Sequence, residues 1–351
     1  MSGGVDSSVA AWLTVQQGYD CIGVTMRLYD NDEIGLAKGH PCCTLDDVED
    51  ARSVAFRLGI PHYTFNFRDA FKEKVIDPFV RCYEEGGTPN PCIECNRHLK
   101  FRDLYHRAQV LGCERLVTGH YARIVRDEKD GRYRLLKAKD SSKDQSYVLY
   151  MLPRTQLAVT SFPLGEFTKE EARQLAEKQG FLNARKHDSQ DICFVPDGDY
   201  AAFIRRYTGK SYPDGDFVTE DGTVLGRHKG IICYTIGQRR GLGLSLPAPL
   251  YVCGKNTAED KVILGPSERL FRRELRAVDC NFLAWEQPPE QFRCRAKTRY
   301  SQKEANATVT VEDDGIRLTF DDPQRAITPG QAVVFYDGDE VLGGGTISEV
   351  L

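Results

Sequence analysis

The sequence predicts an α/β chain: a doubly wound parallel-sheet domain followed by two small β domains of barrel-like type. Three observations predict it. Helical and strand-like patterns alternate up to about residue 196, the signature of a parallel sheet with crossover helices. A Ser-Gly-Gly loop at residues 2–4 runs straight into a helical pattern. After residue 196 the pattern changes to short alternating segments separated by Asp-Gly turn pairs.

In order, Asp6 to Gly18 reads as a capped helix, Cys21 to Leu28 as a strand, Leu45 to Leu58 as a helix and His62 to Phe67 as a strand. Arg68 to Glu85 and His98 to Leu111 have helical spacing, and Arg115 to Thr118 is a short strand that ends at Gly119-His120. Open α/β sheets bind ligands at the carboxyl ends of their strands, which directs attention to the loops at those ends. In the later half, Asp221-Gly222, Asp314-Gly315 and Asp337-Gly338 are hairpin signals. Phe292 to Tyr300, Ala307 to Glu312, Ile316 to Phe320 and Gln331 to Tyr336 alternate like half-buried strands. The predicted division is 1–196, 197–270 and 271–351.

The 351 residues are 41% hydrophobic and 28% charged, a globular balance that suits two or three domains. No apolar run reaches the roughly 18 residues of a membrane span. The N-terminus lacks the basic-then-apolar pattern of a signal peptide, so a cytoplasmic protein with no membrane partner is expected. Twelve cysteines are many for such a chain, and redox or metal chemistry gains weight over a disulfide framework. Cys21, Cys113, Cys233, Cys253 and Cys280 lie in or beside apolar stretches and read as structural, while the adjacent pair Cys42-Cys43 reads as structural or near the substrate. The formal net charge of −4 does not advertise a nucleic-acid binder, although a local basic face suffices for phosphate contacts.

The sharpest motif is Ser2-Gly3-Gly4-Val5-Asp6-Ser7-Ser8 at the start of a helix. Glycines allow a tight turn and close approach to a ligand. Amides at a helix N-terminus favour an anion, and the serines add hydroxyl donors. Read without its context, the same string is also an ordinary helix cap by Asp6 or Ser7. It resembles the pyrophosphate loop (PP-loop) of ATP pyrophosphatases, a superfamily that adenylates a substrate and releases pyrophosphate. That resemblance makes the first predicted domain an adenine-nucleotide-binding one.

Further segments narrow the resemblance. These are Asn90-Pro91-Cys92-Ile93-Glu94-Cys95-Asn96-Arg97, Thr118-Gly119-His120-Tyr121, Lys143-Asp144-Gln145-Ser146-Tyr147 and Asp188-Ser189-Gln190-Asp191-Ile192-Cys193-Phe194. The run Thr235 to Gly243, Lys297-Thr298-Arg299-Tyr300 and Thr328-Pro329-Gly330-Gln331 complete the set. In this order and over essentially the full chain, they resemble the tRNA-specific 2-thiouridylases. The resemblance implies ATP contacts at Ser2, Gly3, Gly4, Val5, Asp6, Ser7, Met26 and Gly119, with Mg²⁺ on the phosphates. It implies Cys95 as nucleophile and Cys193 as the cysteine that carries a persulfide. Asn90, Pro91 and Cys92 would lie near the target base, and His120, Lys143, Asp144, Gln145, Arg299, Tyr300 and Gln331 would contact tRNA. The implied partners are the anticodon stem-loop of a tRNA with a wobble uridine and a persulfide donor such as a cysteine desulfurase or relay protein.

The chemistry suits those roles. The C2 carbonyl of uracil is a poor electrophile, and adenylation of its oxygen makes AMP the leaving group. A persulfide sulfur delivers the atom, and a second thiol releases it by thiol–disulfide exchange. Cys95 precedes a predicted helix, whose dipole would lower its thiol pKa. The base must leave its stack to reach these groups. Cys92-x-x-Cys95 is also a half site for zinc or iron–sulfur. Many family members carry Asp where this chain has Cys92, which leaves open a [4Fe–4S] cluster on Cys92, Cys95 and Cys193.

Arg205-Arg206, Arg227-His228-Lys229, Arg239-Arg240 and Arg272-Arg273 are basic clusters. The alternation of Arg293, Arg295, Lys297 and Arg299 predicts one basic strand face for RNA phosphates. Two other functions compete: a PP-loop enzyme adenylating a different substrate, and a metal-stapled RNA-binding protein. A tRNA methyltransferase is disfavoured, since no S-adenosylmethionine-type glycine loop follows a strand. Finally, Met1 directly precedes the loop, whereas family members have an apolar strand there. A shortened chain that lacks this first strand, binds ATP weakly and gains stability on extension is expected.

Overall fold

The computed structural model describes residues 1–30, 45–186 and 192–351; the expectations for Cys42-Cys43 and for Asp188 to Asp191 lie outside them. The described chain forms two compact units, 1–75 with 91–198 and 339–341, and 76–90 with 199–338 and 342–351. Apart from residues 339–341, the chain passes from the first unit to the second at residues 198 and 199, and residues 76–90 belong to the second.

In the first unit, α1 (Val5–Gln16) follows the glycine loop, and β1 (Gly23–Arg27), α2 (Leu45–Leu58) and β2 (His62–Asn66) follow it. Strands β1 and β2 pair in parallel from Gly23↔His62 to Arg27↔Asn66. Met1 lies beside β1: its amino group donates to the Val24 carbonyl, and Thr25 Oγ1 donates to the Met1 carbonyl at 2.7 Å. Helix α3 (Arg68–Phe71) passes through a π-helical turn into α4 (Asp77–Glu84). The single helix predicted from Arg68 to Glu85 is thus segmented, and α4 counts with the second unit.

Helix α5 (Pro91–Glu94), a π-helical stretch (Cys95–Asp103) and α6 (Leu104–Val110) form one helical run. It begins seven residues before the predicted start at His98. Pro91 suits a first helical position because its missing N–H would be unbonded there. Strand β3 (Leu116–Val117), the antiparallel hairpin β4 (Arg123–Arg126) with β5 (Tyr133–Leu136), α7 (Arg154–Leu157), β6 (Thr160–Ser161) and α8 (Lys169–Lys178) complete the unit. β3 and β6 pair in parallel. Val5, Val9 and Ala10 of α1 pack with Val54, Leu164, Ala172 and Ala176, so α1 is buried between α2 and α8.

The second unit holds α4 and α9 (Tyr200–Thr208), joined by stacked Tyr83 and Tyr200 rings at 4.6 Å and the Phe79–Phe203 contact. Next come β7 (Gly215–Val218), β8 (Val224–His228), β9 (Tyr251–Asn256) and β10 (Lys261–Gly265) in the order β8-β7-β10-β9. Strands β11 (Phe271–Phe282), β12 (Gln291–Lys297), β13 (Ala305–Glu312), β14 (Gly315–Arg325), β15 (Ala332–Asp337) and β16 (Glu340–Val350) follow. They run β11-β14-β13-β12-β15-β16, and β16 closes on β11 from Leu275↔Val350 to Phe282↔Gly343. Closure leaves no free edge. Asp221-Gly222 turns between β7 and β8, and Asp314-Gly315 and Asp337-Gly338 overlap the turns between β13 and β14 and between β15 and β16. Phe335 is fully buried in the barrel core against Phe282 and Phe292, at 6.3 and 6.0 Å. Phe335→Ala should lower unfolding stability by about 3–5 kcal/mol in a denaturant titration; a loss under about 1 kcal/mol would mean the barrel core is not close-packed.

Candidate functional site

The glycine loop is shaped by its own contacts. Gly4 caps α1 in an extended conformation, and Ser7 Oγ and Ser8 Oγ donate back to its carbonyl at 3.1 and 3.0 Å. The Ser2 N–H donates to Ser7 Oγ at 3.1 Å. Gly3 has φ +74° and lies so close to α2 that a Cβ would sit 2.4 Å from the Asp47 carbonyl oxygen. Only glycine meets both constraints. The result is a tight turn ahead of a twelve-residue helix, whose N-terminal amides and dipole favour an anion.

Asp6, in the first turn of α1, is the hub of the site. Lys169 Nζ donates to both carboxylate oxygens at 2.7 and 2.9 Å, and Tyr121 OH donates to Oδ1 at 2.9 Å. Lys169 heads α8, where Thr168 and Glu171 close a capping box. Tyr121 is fixed in turn: its N–H donates to Gln145 Oε1 at 2.9 Å, and the Gln145 N–H donates to its carbonyl at 2.8 Å. Asp144 accepts from the Ala138 and Ser146 N–H groups and from Ser146 Oγ, which fixes the 143–147 turn. Gly119 packs directly on the loop; a Cβ there would lie 2.7 Å from the Asp6 carbonyl carbon and 2.8 Å from the Ser7 nitrogen. Buried Asn183 donates to the Gly3 carbonyl at 2.9 Å and to Ser8 Oγ at 3.0 Å. Met26 is half-buried on β1.

The structure therefore gathers the Ser2–Ser7 loop, Gly119 and the Gln145 segment, and it adds Lys169, Tyr121 and Asn183, to which the sequence reading gave no role. The Thr168-x-x-Glu171 capping signature was available to locate the first turn of α8. Nothing local marks Lys169 as the partner of a residue 163 positions away.

Among the described residues the ten cysteines are thiols rather than members of a disulfide. Cys95 lies one turn inside the helical run rather than ahead of it, and its side chain is buried. The expected lowering of its pKa is corrected: burial pushes the Cys95 thiol up, with Lys100 pulling the other way. Cys92 is exposed, yet the protein mass around it also pushes its thiol up, again against Lys100. Cys193 is half-buried; its carbonyl accepts from Tyr29 OH at 2.6 Å, and neighbouring Phe194 packs edge-on against Phe71. Iron–sulfur ligands must be thiolates converging on one centre. No three Cys, His, Asp or Glu residues among the described ones gather to hold a metal ion. The Cys92, Cys95, Cys193 donor set does not fit a cluster in this structure.

The expected tRNA contacts fall into distinct settings. His120 is buried between Phe101 and Phe162, and its Nδ1 lies 2.7 Å from Thr118 Oγ1. Burial, with the Lys100 charge adding to it, holds its pKa well below the ordinary value. Gln331 Nε2 donates to the Thr88 and Pro89 carbonyls at 2.9 and 3.2 Å, and the Thr88 N–H donates to the Pro329 carbonyl. Gln331 thus holds the segment that leads into Asn90. Arg299 Nη2 donates to the Ile236 and Ala326 carbonyls and to Thr328 Oγ1, at 3.0, 3.0 and 2.8 Å. Tyr300 is 43% exposed.

The predicted basic strand face is also corrected. Arg293 makes a bidentate pair with Asp321 at 2.7 and 2.6 Å, Arg295 faces Glu304, and buried Lys297 lies over the Tyr336 ring at 5.4 Å. Alternation placed the cations on one side, but neighbouring strands supply partners that the strand's own sequence does not reveal.

Comparison with known proteins agrees along the whole chain. The family profile described as tRNA methyl transferase HUP domain matches residues 1–197. Those described as tRNA methyl transferase PRC-barrel domain and aminomethyltransferase beta-barrel domain match 201–266 and 272–347. The tRNA-specific 2-thiouridylase MnmA of Clostridioides difficile (strain 630) is 51% identical over 352 residues, covering 100% of this chain and 97% of its own. The tRNA-specific 2-thiouridylase MnmA 1 of Thermoanaerobacter sp. (strain X514) is 51% identical over 349 residues, covering 99% and 96%. That of Clostridium acetobutylicum is 48% identical over 348 residues, covering 99% and 98%. The methyl transferase wording belongs to the domain descriptions, whereas these full-length relatives carry the thiouridylase name.

Gly119→Ala tests the packing of the loop. The added methyl forces a shift of the Asp6-Ser7 backbone, at a cost of about 1–3 kcal/mol. ATP affinity measured by calorimetry should fall by roughly ten- to a hundredfold, with the fold retained. Unchanged affinity would show that Gly119 does not shape the nucleotide loop.

Proposed function

The chain belongs to the tRNA-specific 2-thiouridylase family, and from that premise we propose that it adenylates the C2 oxygen of the wobble uridine and replaces that oxygen with sulfur. The enzyme is a PP-loop sulfurtransferase that consumes ATP and acts on tRNA. The observation that carries the finer reading is that one compact unit holds both the Asp6-centred glycine loop and the two cysteines Cys95 and Cys193.

The loop amides and Lys169 offset the charge of the ATP phosphates, while Gly3, Gly4 and Gly119 leave room for their approach. An Asp carboxylate has about four lone-pair sites; the Lys169 and Tyr121 bonds use three. The remaining face fits one Mg²⁺ held jointly with substrate phosphates. Bound there, the ion would neutralise charge on the departing pyrophosphate. The uracil oxygen attacks the α-phosphorus and pyrophosphate leaves.

The terminal sulfur of a Cys193 persulfide, loaded by a cysteine desulfurase or relay protein, then attacks C2, and AMP leaves. The Cys95 thiolate attacks the Cys193 sulfur of the adduct, and the sulfur–sulfur bond breaks toward the base. This frees 2-thiouridine and leaves a Cys95–Cys193 disulfide, which an external thiol reduces. Burial keeps Cys95 protonated at neutral pH in the tRNA-free protein, so its activation belongs to the step after the base has entered. The proposed division of labour assigns ATP chemistry to 1–196 and tRNA binding to 271–351, linked by 197–270, in a cytoplasmic enzyme. No helix among the described residues is long and apolar enough to cross a membrane. Asn90, Pro91 and Cys92 face the target base in this proposal, with Lys143, Asp144 and Gln145 alongside.

Cys95→Ser and Cys193→Ser should each abolish thiouridine in nucleoside digests while tRNA-dependent pyrophosphate release persists within about threefold, roughly 0.6 kcal/mol. Thiouridine at the parent level from either variant would overturn the two-thiol mechanism.

A further inference from the structure

We propose that Arg239 and Arg240, at the tip of the 235–243 loop, form a phosphate-gripping element of the tRNA surface, and that Arg299 braces this loop from beneath. The proposal rests on the tRNA-thiolation reading and adds residues to it.

Most cations on the strands of the second unit are committed elsewhere. Arg293, Arg295 and Lys297 are paired or buried. Arg276 and Arg317 share Glu312, Arg227 pairs with Asp216, and Arg269 with Glu220. Arg239 and Arg240 are exposed, and among the described residues neither has a carboxylate within ion-pair distance. Their charge is available to a partner.

The loop that carries them is rigidly held, unlike an ordinary exposed turn. The Gly237 N–H donates to the Val252 carbonyl at 2.8 Å, and the Val252 N–H returns a bond to the Gln238 carbonyl at 2.9 Å. The Gln238 side chain accepts from the Thr235 N–H and donates to the Arg240 carbonyl, each at 3.0 Å. Gly237, at φ +87°, sits where a Cβ would come 3.0 Å from Ala326 Cβ, and Leu242 is buried beyond the tip. Arg299 then ties the Ile236 carbonyl to Ala326 and Thr328. Two consecutive arginines therefore stand on a fixed backbone, so little ordering entropy is lost when they bind.

Guanidinium groups match phosphate oxygens in a bidentate fork. The turn that contributes Arg299 also presents Tyr300, 43% exposed, and exposed Lys303. Cations beside an accessible aromatic ring suit RNA, whose phosphates and unstacked bases use both. An acidic protein segment would satisfy the arginines alone. This arrangement separates two jobs that sequence alternation had merged: Arg299 works through the loop, and the loop tip meets the nucleic acid.

The test is tRNA binding by the full-length protein, followed by fluorescence anisotropy between about 50 and 200 mM salt. Arg239→Ala/Arg240→Ala should reduce the slope of log affinity against log salt by about 1.4–1.8, the loss of two phosphate contacts. Arg239→Lys/Arg240→Lys should keep most of the slope. Melting temperature and tRNA-independent ATP binding should match the parent in both. An unchanged slope in the alanine variant, with parent thiolation of tRNA, overturns the proposal and leaves the thiouridylase reading standing. If the parent protein binds tRNA with a salt slope that falls in the alanine variant but produces no thiouridine, the thiolation reading fails and the phosphate grip survives.

Discussion

The geometry of the first unit depends on the carboxylate of Asp6 and the two donors that hold it. Lys169 and Tyr121 come from α8 and from the segment after β3, and both end on this one group. A carboxylate at a helix N-terminus is favoured by the dipole, but the same position must admit a polyanion. Lys169 resolves that conflict by keeping the local charge near balance while fixing the first turn of α1. Gly3 against α2 and Gly119 against Asp6 leave no space for a side chain, so the loop is locked on both flanks.

The sulfur chemistry places a different demand on the fold. A persulfide is reactive and must be shielded, whereas the thiol that releases its product must not react early. Burial of Cys95 and the upward push on its thiol meet the second demand in the free protein. Cys193 is anchored through its backbone by Tyr29 and through Phe194 by Phe71. The extra thiol at Cys92 is exposed.

Much of this was legible in the sequence because it is local. The glycine loop, the helix Leu45–Leu58, the parallel β1–β2 arrangement and the Asp-Gly turns follow from short-range pattern and turn chemistry. What was not legible depends on partners far along the chain. Alternation put Arg293, Arg295 and Lys297 on one face, but Asp321, Glu304 and Tyr336 on other segments decide their fate. His120 looks like a polar motif residue until Phe101 and Phe162 enclose it. The early start of the helical run at Pro91 escaped because proline and two cysteines carry weak helical signals, and burial, which the sequence does not show, pushes the Cys95 thiol up.

The central claim is that the uracil oxygen becomes part of the leaving AMP before sulfur arrives. Its most direct test uses tRNA carrying isotopically heavy oxygen at C2 of the target uridine, a persulfide-loaded enzyme and ATP, with mass analysis of the products. The account predicts heavy oxygen in the phosphate of AMP, in amounts equal to the 2-thiouridine formed. Heavy oxygen released to water or found in pyrophosphate, with AMP unlabelled, would contradict it.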